Sequence, residues 1–297
     1  MLAFLYDIFC FSILSHSRPF IQASTPNCAA LQLAQDAFSQ EALQLSPITP
    51  PHLAASELGI YDMDLACAKD ALLLHHRLAT NLSDQITSRL LLCPITDTKQ
   101  NSHDLAQLDL TLLGIRQPIA LLLKHHYLPF KQLIKDSLHS TQQSRYSISL
   151  DSIHPSYLFL RLAKPHWGID KTLLKLSSRG AITFIQFRLQ NFRPATVSPS
   201  NMGCKFCMSP LSSIHHTLWM CPDAEPLRAA FLSKLLADHP AIWTHIQTFN
   251  PMQPQQLSSF FLGGALTTLT APQWTPSLLL FVDYLLLIQK KNLPQSP

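Results

Sequence analysis

The chain has 297 residues, of which 47% are hydrophobic and only 13% are charged, about half the usual charged share. This length allows one large domain or two modest ones, and the apolar content suffices for a packed core. Seven glycines against 22 prolines disfavour glycine-dependent hairpins and phosphate-binding loops, because few positions can adopt a positive φ. The composition therefore favours Leu-rich helices separated by proline-containing breaks.

The first half of the chain divides into three segments. The N-terminal segment, 1–45, holds an apolar start and a mixed Ala, Gln and Leu run that could be helical. Prolines separate it from a helical region, 46–138, because the residue before a proline is pushed out of the α conformation. Within this region apolar residues at helical spacing predict a helix over about 63–80. The polar run that follows is interpreted as a connector, 139–166, which is flexible over 140–152.

The second half divides into two segments. Region 167–240 contains two predicted helical pieces, a loop, a group of cysteines and histidines, and an amphipathic helix that starts just beyond Pro226. The last segment, 241–297, is a helical tail with a Leu-rich stretch near its end. That stretch includes Asp283 and is too short to cross a bilayer. We therefore expect a core helix there, and no membrane partner.

The N-terminus and the cysteine usage point to an intracellular protein. The apolar start MLAFLYDIFCFSIL has no basic residue before Arg18 and is interrupted by Asp7, which argues against a secretory signal. An odd total of seven cysteines in a long chain argues against a disulfide framework. We expect a nuclear or cytoplasmic location. Four cysteines are scattered without a shared spacing: Cys10, Cys28, Cys67 and Cys93.

The net charge of +4 is concentrated in one stretch of the chain. Between Lys171 and Pro222 there are six basic residues and no acidic ones, so this stretch carries +6 and leaves −2 for the remainder. Such an asymmetry is typical of a surface that contacts a polyanion. We expect RNA or DNA as the partner, with phosphate contacts from the basic side chains. These are Lys171, Lys175, Arg179, Arg188, Arg193 and Lys205.

The cysteines and histidines of GCKFCMSPLSSIHHTLWMCP have the spacing of metal ligands. Cys204 and Cys207 are separated by two residues, which lets both thiolates reach one ion, and His216 and Cys221 follow with a four-residue gap. Zinc takes four such ligands in a tetrahedron, and three cysteines with one histidine are a common structural set. No open position or general base is evident beside them. The sequence therefore predicts a structural Zn²⁺ site on these four residues.

The second ligand pair places a demand on the local helix. In an α-helix, residues five apart lie about 140° round the axis, so Cys221 is expected at a frayed last turn. Pro222 supports an ending at this point because proline cannot continue the hydrogen-bond ladder. His215 is an alternative ligand six residues before Cys221. Its geometry is poorer, and His216 is preferred.

Three motifs in order carry a family resemblance. FIQFRLQNF, with Arg188, precedes GCKFC and HTLWMCP, and Arg228 lies on the next predicted helix. This order resembles the zinc-binding segment near the C-terminus of reverse transcriptases encoded by non-LTR (LINE-type) retrotransposons. The resemblance covers 179–235, and 57–78 is similar to the helical linker that follows the polymerase thumb in that family. It implies a reverse-transcriptase-type zinc-binding domain at 167–240 and a linker remnant within 46–138.

Two positions depart from the family pattern, and the catalytic residues are missing. Ser212 stands where the family has an acidic residue, and Gln190 and Asn191 stand where a glycine commonly follows the leading arginine. Reverse transcription needs paired carboxylates that hold two divalent metals, but FVDY at 281–284 offers a single aspartate. No polymerase, endonuclease or RNase H carboxylate set can be assembled. The resemblance thus implies the non-catalytic portion of an element protein.

Together these features predict a mainly α chain of bundle-like helical segments with a small Cys3His zinc-binding lobe. The first functional hypothesis is a nucleic-acid-binding module, in which Phe206 offers a stacking surface unless it packs, like Trp219, against the zinc lobe. The second is a zinc-stabilised protein-interaction module, suggested by the apolar, poorly charged helices. A third is a decayed element fragment without selected function.

Overall fold

The computed structural model describes residues 26–80, 102–153, 159–170, 173–189, 204, 206–207, 209, 213–247, 254–263 and 271–292. Within these ranges the chain is helical and forms no strand, which confirms the mainly α fold class. The described residues divide into two compact units. Unit 1 lies within Met1–Phe38 and Leu58–Tyr146, and unit 2 lies within Ser39–Glu57 and Ser147–Pro297. The five segments predicted from the sequence do not coincide with these units.

We number the α-helices of these ranges in chain order. They are α1 (Pro26–Ala42), α2 (Pro51–Leu58), α3 (Met63–Thr80), α4 (Ser102–Leu112), α5 (Ile119–Leu122), α6 (Tyr127–Asp151), α7 (Leu160–Ala163), α8 (Ser178–Arg188), α9 (Glu225–Asp238), α10 (Pro240–Gln247), α11 (Pro254–Gly263) and α12 (Ala271–Asn292). Short 3-10 turns form at Leu173–Lys175 and Pro222–Ala224, and a π turn forms at His216–Met220.

The core of unit 1 is built from apolar stripes on α3, α4 and α6. The helix predicted over 63–80 is confirmed as α3, and its Leu65, Ala68 and Leu72 are buried at the three- and four-residue spacing of one helix face. The matching stripe on α6 consists of Phe130, Ile134 and Leu138. Burial of such stripes, at about 25 cal/mol per Å² of apolar surface, is the main source of stability here.

The connector predicted at 139–166, with its flexible part at 140–152, is corrected by α6, which remains helical to Asp151. The helix continues because one face stays buried through the polar run, at four-residue spacing. The buried residues are Leu138, Gln142, Tyr146 and Leu150. The serines and threonines lie on the other faces, so the polar composition concealed an amphipathic helix.

Polar contacts also hold this part of α6 within unit 1. Gln142 donates from Nε2 to a carboxylate oxygen of Asp62 at 3.1 Å, and its Oε1 accepts the Asp62 backbone N–H at 3.0 Å. Arg145 binds the carboxylates of Asp62 and Asp64 at 3.0 and 2.8 Å. A buried amide is tolerated because both its donor and its acceptor are satisfied.

Aromatic side chains fill the core of unit 2. Phe281 and Tyr284 on α12 are buried, and they pack with Trp219, Phe231 and Phe261 at ring-centroid distances from 4.8 to 6.4 Å. The core helix predicted near the C-terminus is thereby present as α12. Among the described residues, no helix combines the length and the apolar character that a membrane span requires.

Arg188, at the C-terminal end of α8, is a fully buried charge in unit 2. Its Nη1 binds both carboxylate oxygens of Glu57 at 3.2 and 3.0 Å, and its Nη2 binds Asp170 at 3.1 Å. Its Nε donates to the carbonyl of Leu262 on α11 at 2.6 Å. The guanidinium also lies over the ring of Phe184, 4.7 Å from its centroid. Every face of this cation is therefore occupied by the protein.

A second buried cation completes the network. Lys164 Nζ lies 3.0 Å from Glu57 Oε2 and donates to the carbonyl of Ser56 at 2.9 Å. Burial lowers the pKa of Lys164, the Glu57 carboxylate opposes that shift, and the nearby Arg188 adds to it. With Asp170 the network holds two cations and two carboxylates, so its charges balance.

We predict that Arg188→Met strongly destabilises unit 2. Removing one partner of a buried, hydrogen-bonded ion pair leaves the other charge uncompensated, which typically costs about 3–5 kcal/mol. The matched control is Arg179→Met on the same helix, where the side chain is exposed and the expected change is within about 0.5 kcal/mol. Urea denaturation of both variants measures the difference. Equal free energies of unfolding would contradict the assignment.

Candidate metal centre

Three cysteine sulfurs and one histidine nitrogen converge in unit 2. The ligand atoms of Cys204, Cys207, His216 and Cys221 all lie within 4.8 Å of one another, so they could hold a metal ion. Cys204 Sγ and Cys221 Sγ are 3.6 Å apart, and Cys207 Sγ is 3.2 Å from His216 Nε2. A tetrahedral ion held by thiolates at about 2.3 Å would separate two sulfurs by about 3.8 Å. The observed spacing fits such an ion.

The first cysteine pair forms a tight knuckle around one sulfur. Backbone N–H groups of Cys207 and Phe206 donate to the Cys204 sulfur, and the Cys204 N–H donates to the Ser209 carbonyl at 2.6 Å. Burial alone would raise the pKa of the Cys204 thiol, but these N–H bonds, with contributions from the neighbouring thiols of Cys221 and Cys207, outweigh burial and lower it. The loop is thus arranged to stabilise a thiolate.

Cys221 sits in a second knuckle of the same design. The N–H groups two and three residues further on, those of Asp223 and Ala224, donate to its sulfur as the chain enters the 3-10 turn. Burial nevertheless raises the pKa of the Cys221 thiol to about 11, and the thiols of Cys204 and Cys207 add to that increase. Two sulfurs this close resist losing both protons, and a bound cation would remove that resistance.

The π turn brings His216 and Cys221 to the same side of the chain. The Cys221 N–H donates to the carbonyl of His216, five residues back, at 2.7 Å. This widened turn places two residues separated by five positions close to one face, which an α-helix cannot do. The sequence-based prediction of a frayed α-helical turn is corrected in this respect. The predicted ending is confirmed, since Cys221 has an extended backbone with ψ 123°.

A tyrosine from α12 stabilises the π turn. Pro222 has no N–H, so it cannot donate to the carbonyl of Leu218 as an α-helical residue would. The hydroxyl of Tyr284 donates to that carbonyl instead, at 2.7 Å, inside the core. Burial raises the pKa of the Tyr284 hydroxyl, so it remains a donor at ordinary pH. Pro222 is therefore the sequence signal that the Leu218 carbonyl lacks its usual backbone donor.

His215 points away from the cysteines and belongs to a separate hydrogen-bonded group. Its Nδ1 lies 2.8 Å from the hydroxyl of Ser258, which also accepts the indole N–H of Trp219 at 2.9 Å. The Ser258 hydroxyl thus links the imidazole of His215 to the indole of Trp219. Burial lowers the pKa of His215 to about 4. His216, and not His215, therefore lies in the cluster that could hold an ion, as the preference for His216 requires.

The predicted phosphate contacts separate into three groups. Lys175, at the end of a 3-10 turn, and Arg179, in the first turn of α8, are exposed. Arg188 is buried and ion-paired, so the prediction that it contacts phosphate is wrong. The remaining predicted residues lie outside the described ranges: Lys171, Arg193 and Lys205.

Aromatic residues near the centre pack inside the protein. Phe206 is partly buried against the small cluster formed by Cys204, Cys221 and Ala224. Trp219 stacks on Phe281 at 6.3 Å within the core of unit 2. Packing, the alternative to base stacking, is thus what the structure has for both residues.

We predict that His216→Gln abolishes tight Co²⁺ binding and that His215→Gln does not. His216 supplies a ligand atom, so its loss is expected to weaken binding by more than about 100-fold, beyond the usual effect of outer-shell changes. His215→Gln removes the Ser258 hydrogen bond and the ring contact with Phe159, and it leaves the four ligands in place. The thiolate-to-cobalt charge-transfer absorbance, followed in a titration, measures both. Loss of the signal in the His215 variant alone would reverse the assignment.

No family model, curated protein or solved structure matches this chain. The donor set of Cys204, Cys207, His216 and Cys221, with its two N–H···S knuckles, is therefore what identifies the centre. Metal binding is thus inferred from the chain's own residues and their geometry.

Proposed function

We propose that the chain is the non-catalytic C-terminal portion of a retrotransposon-encoded reverse transcriptase, in which a structural Zn²⁺ organises a helical module that binds nucleic acid. The observation that carries the proposal is a cluster of three thiols and one imidazole, in which backbone N–H groups donate to the sulfurs of Cys204 and Cys221. The order of Arg188, the cysteine pair, the histidine and Arg228 in the sequence supports the retroelement affiliation.

Zinc is the metal that this donor set favours. Soft thiolates with one imidazole in a tetrahedral arrangement suit Zn²⁺, whereas calcium, magnesium and manganese prefer oxygen ligands. Four protein ligands leave no position for water or substrate, which is the pattern of structural sites. When bound, the ion would supply cross-linking and charge neutralisation, and no catalytic step.

The need for such an ion follows from the size of the local core. The apolar cluster at the centre consists of Cys204, Cys221 and Ala224, with Phe206 and Cys207 packed against it. Among the described residues this cluster is small and contributes little hydrophobic burial, so a metal cross-link would add to the stability of the two cysteine loops. Metal binding would therefore contribute directly to local folding.

Nucleic-acid binding is supported by the acid-free basic stretch. Lys175 and Arg179 are exposed four residues apart, and the sequence places Lys171, Arg193 and Lys205 in the same stretch. Contacts of this kind would be made to phosphates and not to base edges. Binding should then be electrostatic and depend strongly on salt.

A protein-interaction module is the second candidate function. Leu279 and Leu287 are 45% and 50% exposed, two turns apart on α12, and such a stripe suits a helical partner. Size-exclusion chromatography with light scattering distinguishes the two, since a discrete oligomer or complex without nucleic acid favours this candidate. A chain that forms neither kind of complex would fit the decayed fragment. An in-frame polymerase-coding region in the adjoining upstream DNA would support the retroelement affiliation.

We predict about one zinc ion per purified chain and its loss in the Cys204→Ser, Cys207→Ser double variant. The matched control is Cys28→Ser with Cys67→Ser, which removes two buried cysteines from unit 1 and should leave the zinc content unchanged. Atomic emission spectrometry of dialysed protein measures all three. Zinc retained by the Cys204 variant, or lost from the Cys28 variant, would contradict the zinc assignment.

We predict that the chain binds structured RNA with an affinity that falls steeply as salt rises. Replacing both Lys175 and Arg179 with Gln should reduce the slope of log K against log salt by about 1.4–1.8, since each phosphate contact contributes about 0.7–0.9. Lys234→Gln, an exposed change on α9, is the control. Filter-binding titrations from low to high salt measure the slopes. Absence of binding at low salt would rule out the nucleic-acid function.

A further inference from the structure

Lys291, in the last turn of α12, touches both knuckles of the metal centre. Its Nζ donates to the backbone carbonyl of Asp223 at 2.6 Å and lies 5.6 Å from the ring centroid of Phe206. Asp223 is in the Cys221 knuckle, and Phe206 is between the first two cysteines. One ammonium group thus contacts both the loop that contains Cys204 and the loop that contains Cys221, 17 residues later in the sequence.

Lys291 contacts two of the four residues whose N–H groups donate to the sulfurs. The Phe206 N–H donates to the Cys204 sulfur, and the Asp223 N–H donates to the Cys221 sulfur. The Asp223 carbonyl belongs to the same peptide group as the Ala224 N–H, which also donates to the Cys221 sulfur, so the bond from Lys291 restrains that donor directly. Contact with the Phe206 ring restrains the residue whose N–H donates to the Cys204 sulfur. Outer-shell contacts of this kind tune metal affinity because they position the ligands before the ion arrives.

Charge gives Lys291 a second role. Zn²⁺ with three thiolates and a neutral imidazole carries one net negative charge, which a nearby cation stabilises. Arg228 also approaches the centre, donating from Nη1 to the Cys221 carbonyl at 3.2 Å, but its charge is offset by an ion pair with Glu225. Lys291 donates to a carbonyl and lies near an aromatic ring in the two loops that carry the cysteines, so its charge would act on a bound zinc cluster.

We propose that Lys291 is a positioning residue of the metal centre that raises its affinity for zinc and couples metal occupancy to the end of α12. The inference rests on the proposed zinc site and adds a residue that lies outside the ligand motif, 70 positions after Cys221. Coupling is reciprocal by linkage, so bound metal stabilises the last turn of α12 to the same extent that this turn favours metal.

The test compares Lys291→Met with its neighbour Lys290→Met in the full chain. Lys290 is also exposed on α12 and has the same side chain. Zinc dissociation constants come from competition with a chromophoric chelator, and circular dichroism checks helicity. We expect about a tenfold weaker affinity for Lys291→Met, the lower end of the usual outer-shell effect, and none for Lys290→Met. Lys291→Arg, which keeps the charge, should stay within about threefold of the original chain.

Two further readouts separate positioning by charge from a merely structural role. The difference between the original chain and Lys291→Met should shrink as salt rises, because the ammonium is exposed and its field is screened. Hydrogen exchange of amides in the last turn of α12 should slow on zinc addition in the original chain and in Lys290→Met, but not in Lys291→Met.

The outcomes separate this inference from the zinc proposal. If the original chain binds no zinc, both are overturned. If it binds zinc, while Lys291→Met and Lys290→Met show equal affinities at low salt and equal exchange, the role of Lys291 is overturned and the zinc centre stands. A tenfold loss that persists unchanged at high salt would refute the charge effect.

Discussion

Unit 2 depends on keeping the charge of Arg188 paired inside the protein. An isolated buried guanidinium costs several kcal/mol in desolvation, and here Glu57, Asp170 and the Leu262 carbonyl together offset that cost. These partners come from three separate parts of the chain. Glu57 is in α2, Asp170 precedes α8, and Leu262 is in α11. They must be in place together, so the network imposes one arrangement on the helices that meet at α8.

The packing of the helices around α8 also determines where the candidate metal centre lies. Helix α8 packs closely on α12, since a Cβ on Gly180 would come within 3.0 Å of Val282, and Thr183 hydrogen-bonds Gln289 at 3.0 Å. Helix α12 in turn reaches the centre through Tyr284, which satisfies the π turn, and through Lys291. A chain of contacts therefore runs from the buried arginine to the cysteine knuckles. The segment that carries His216 and Cys221 is thus held by α12, whose own position depends on its packing against α8.

The parts that sequence reasoning predicted are those with a local signal. Helix α3 follows from apolar spacing, and the ligand set follows from the gaps between Cys204, Cys207, His216 and Cys221. The failures involve partners distant in the chain. The polar part of α6 is helical because Gln142 and Arg145 find acceptors about 80 residues away. The π turn likewise depends on Tyr284, 66 residues beyond Leu218, and no local pattern could indicate that donor.

A count of charges along the sequence fails for the same reason, because a partner distant in the chain neutralises one of them. The acid-free stretch begins at Lys171, directly after Asp170, and Asp170 is one of the two carboxylates that neutralise Arg188. The other, Glu57, lies more than a hundred residues earlier. The charge available to a polyanion is therefore smaller than the linear count suggests. What remains exposed at Lys175 and Arg179 precedes the metal centre in the chain, whereas the cation at the knuckles, Lys291, comes from the C-terminal helix and is occupied there. A bound zinc ion would thus be stabilised by Lys291, whereas phosphate would be contacted by Lys175 and Arg179. Loss of the metal would then change the phosphate contacts only by shifting the segments that carry those two residues.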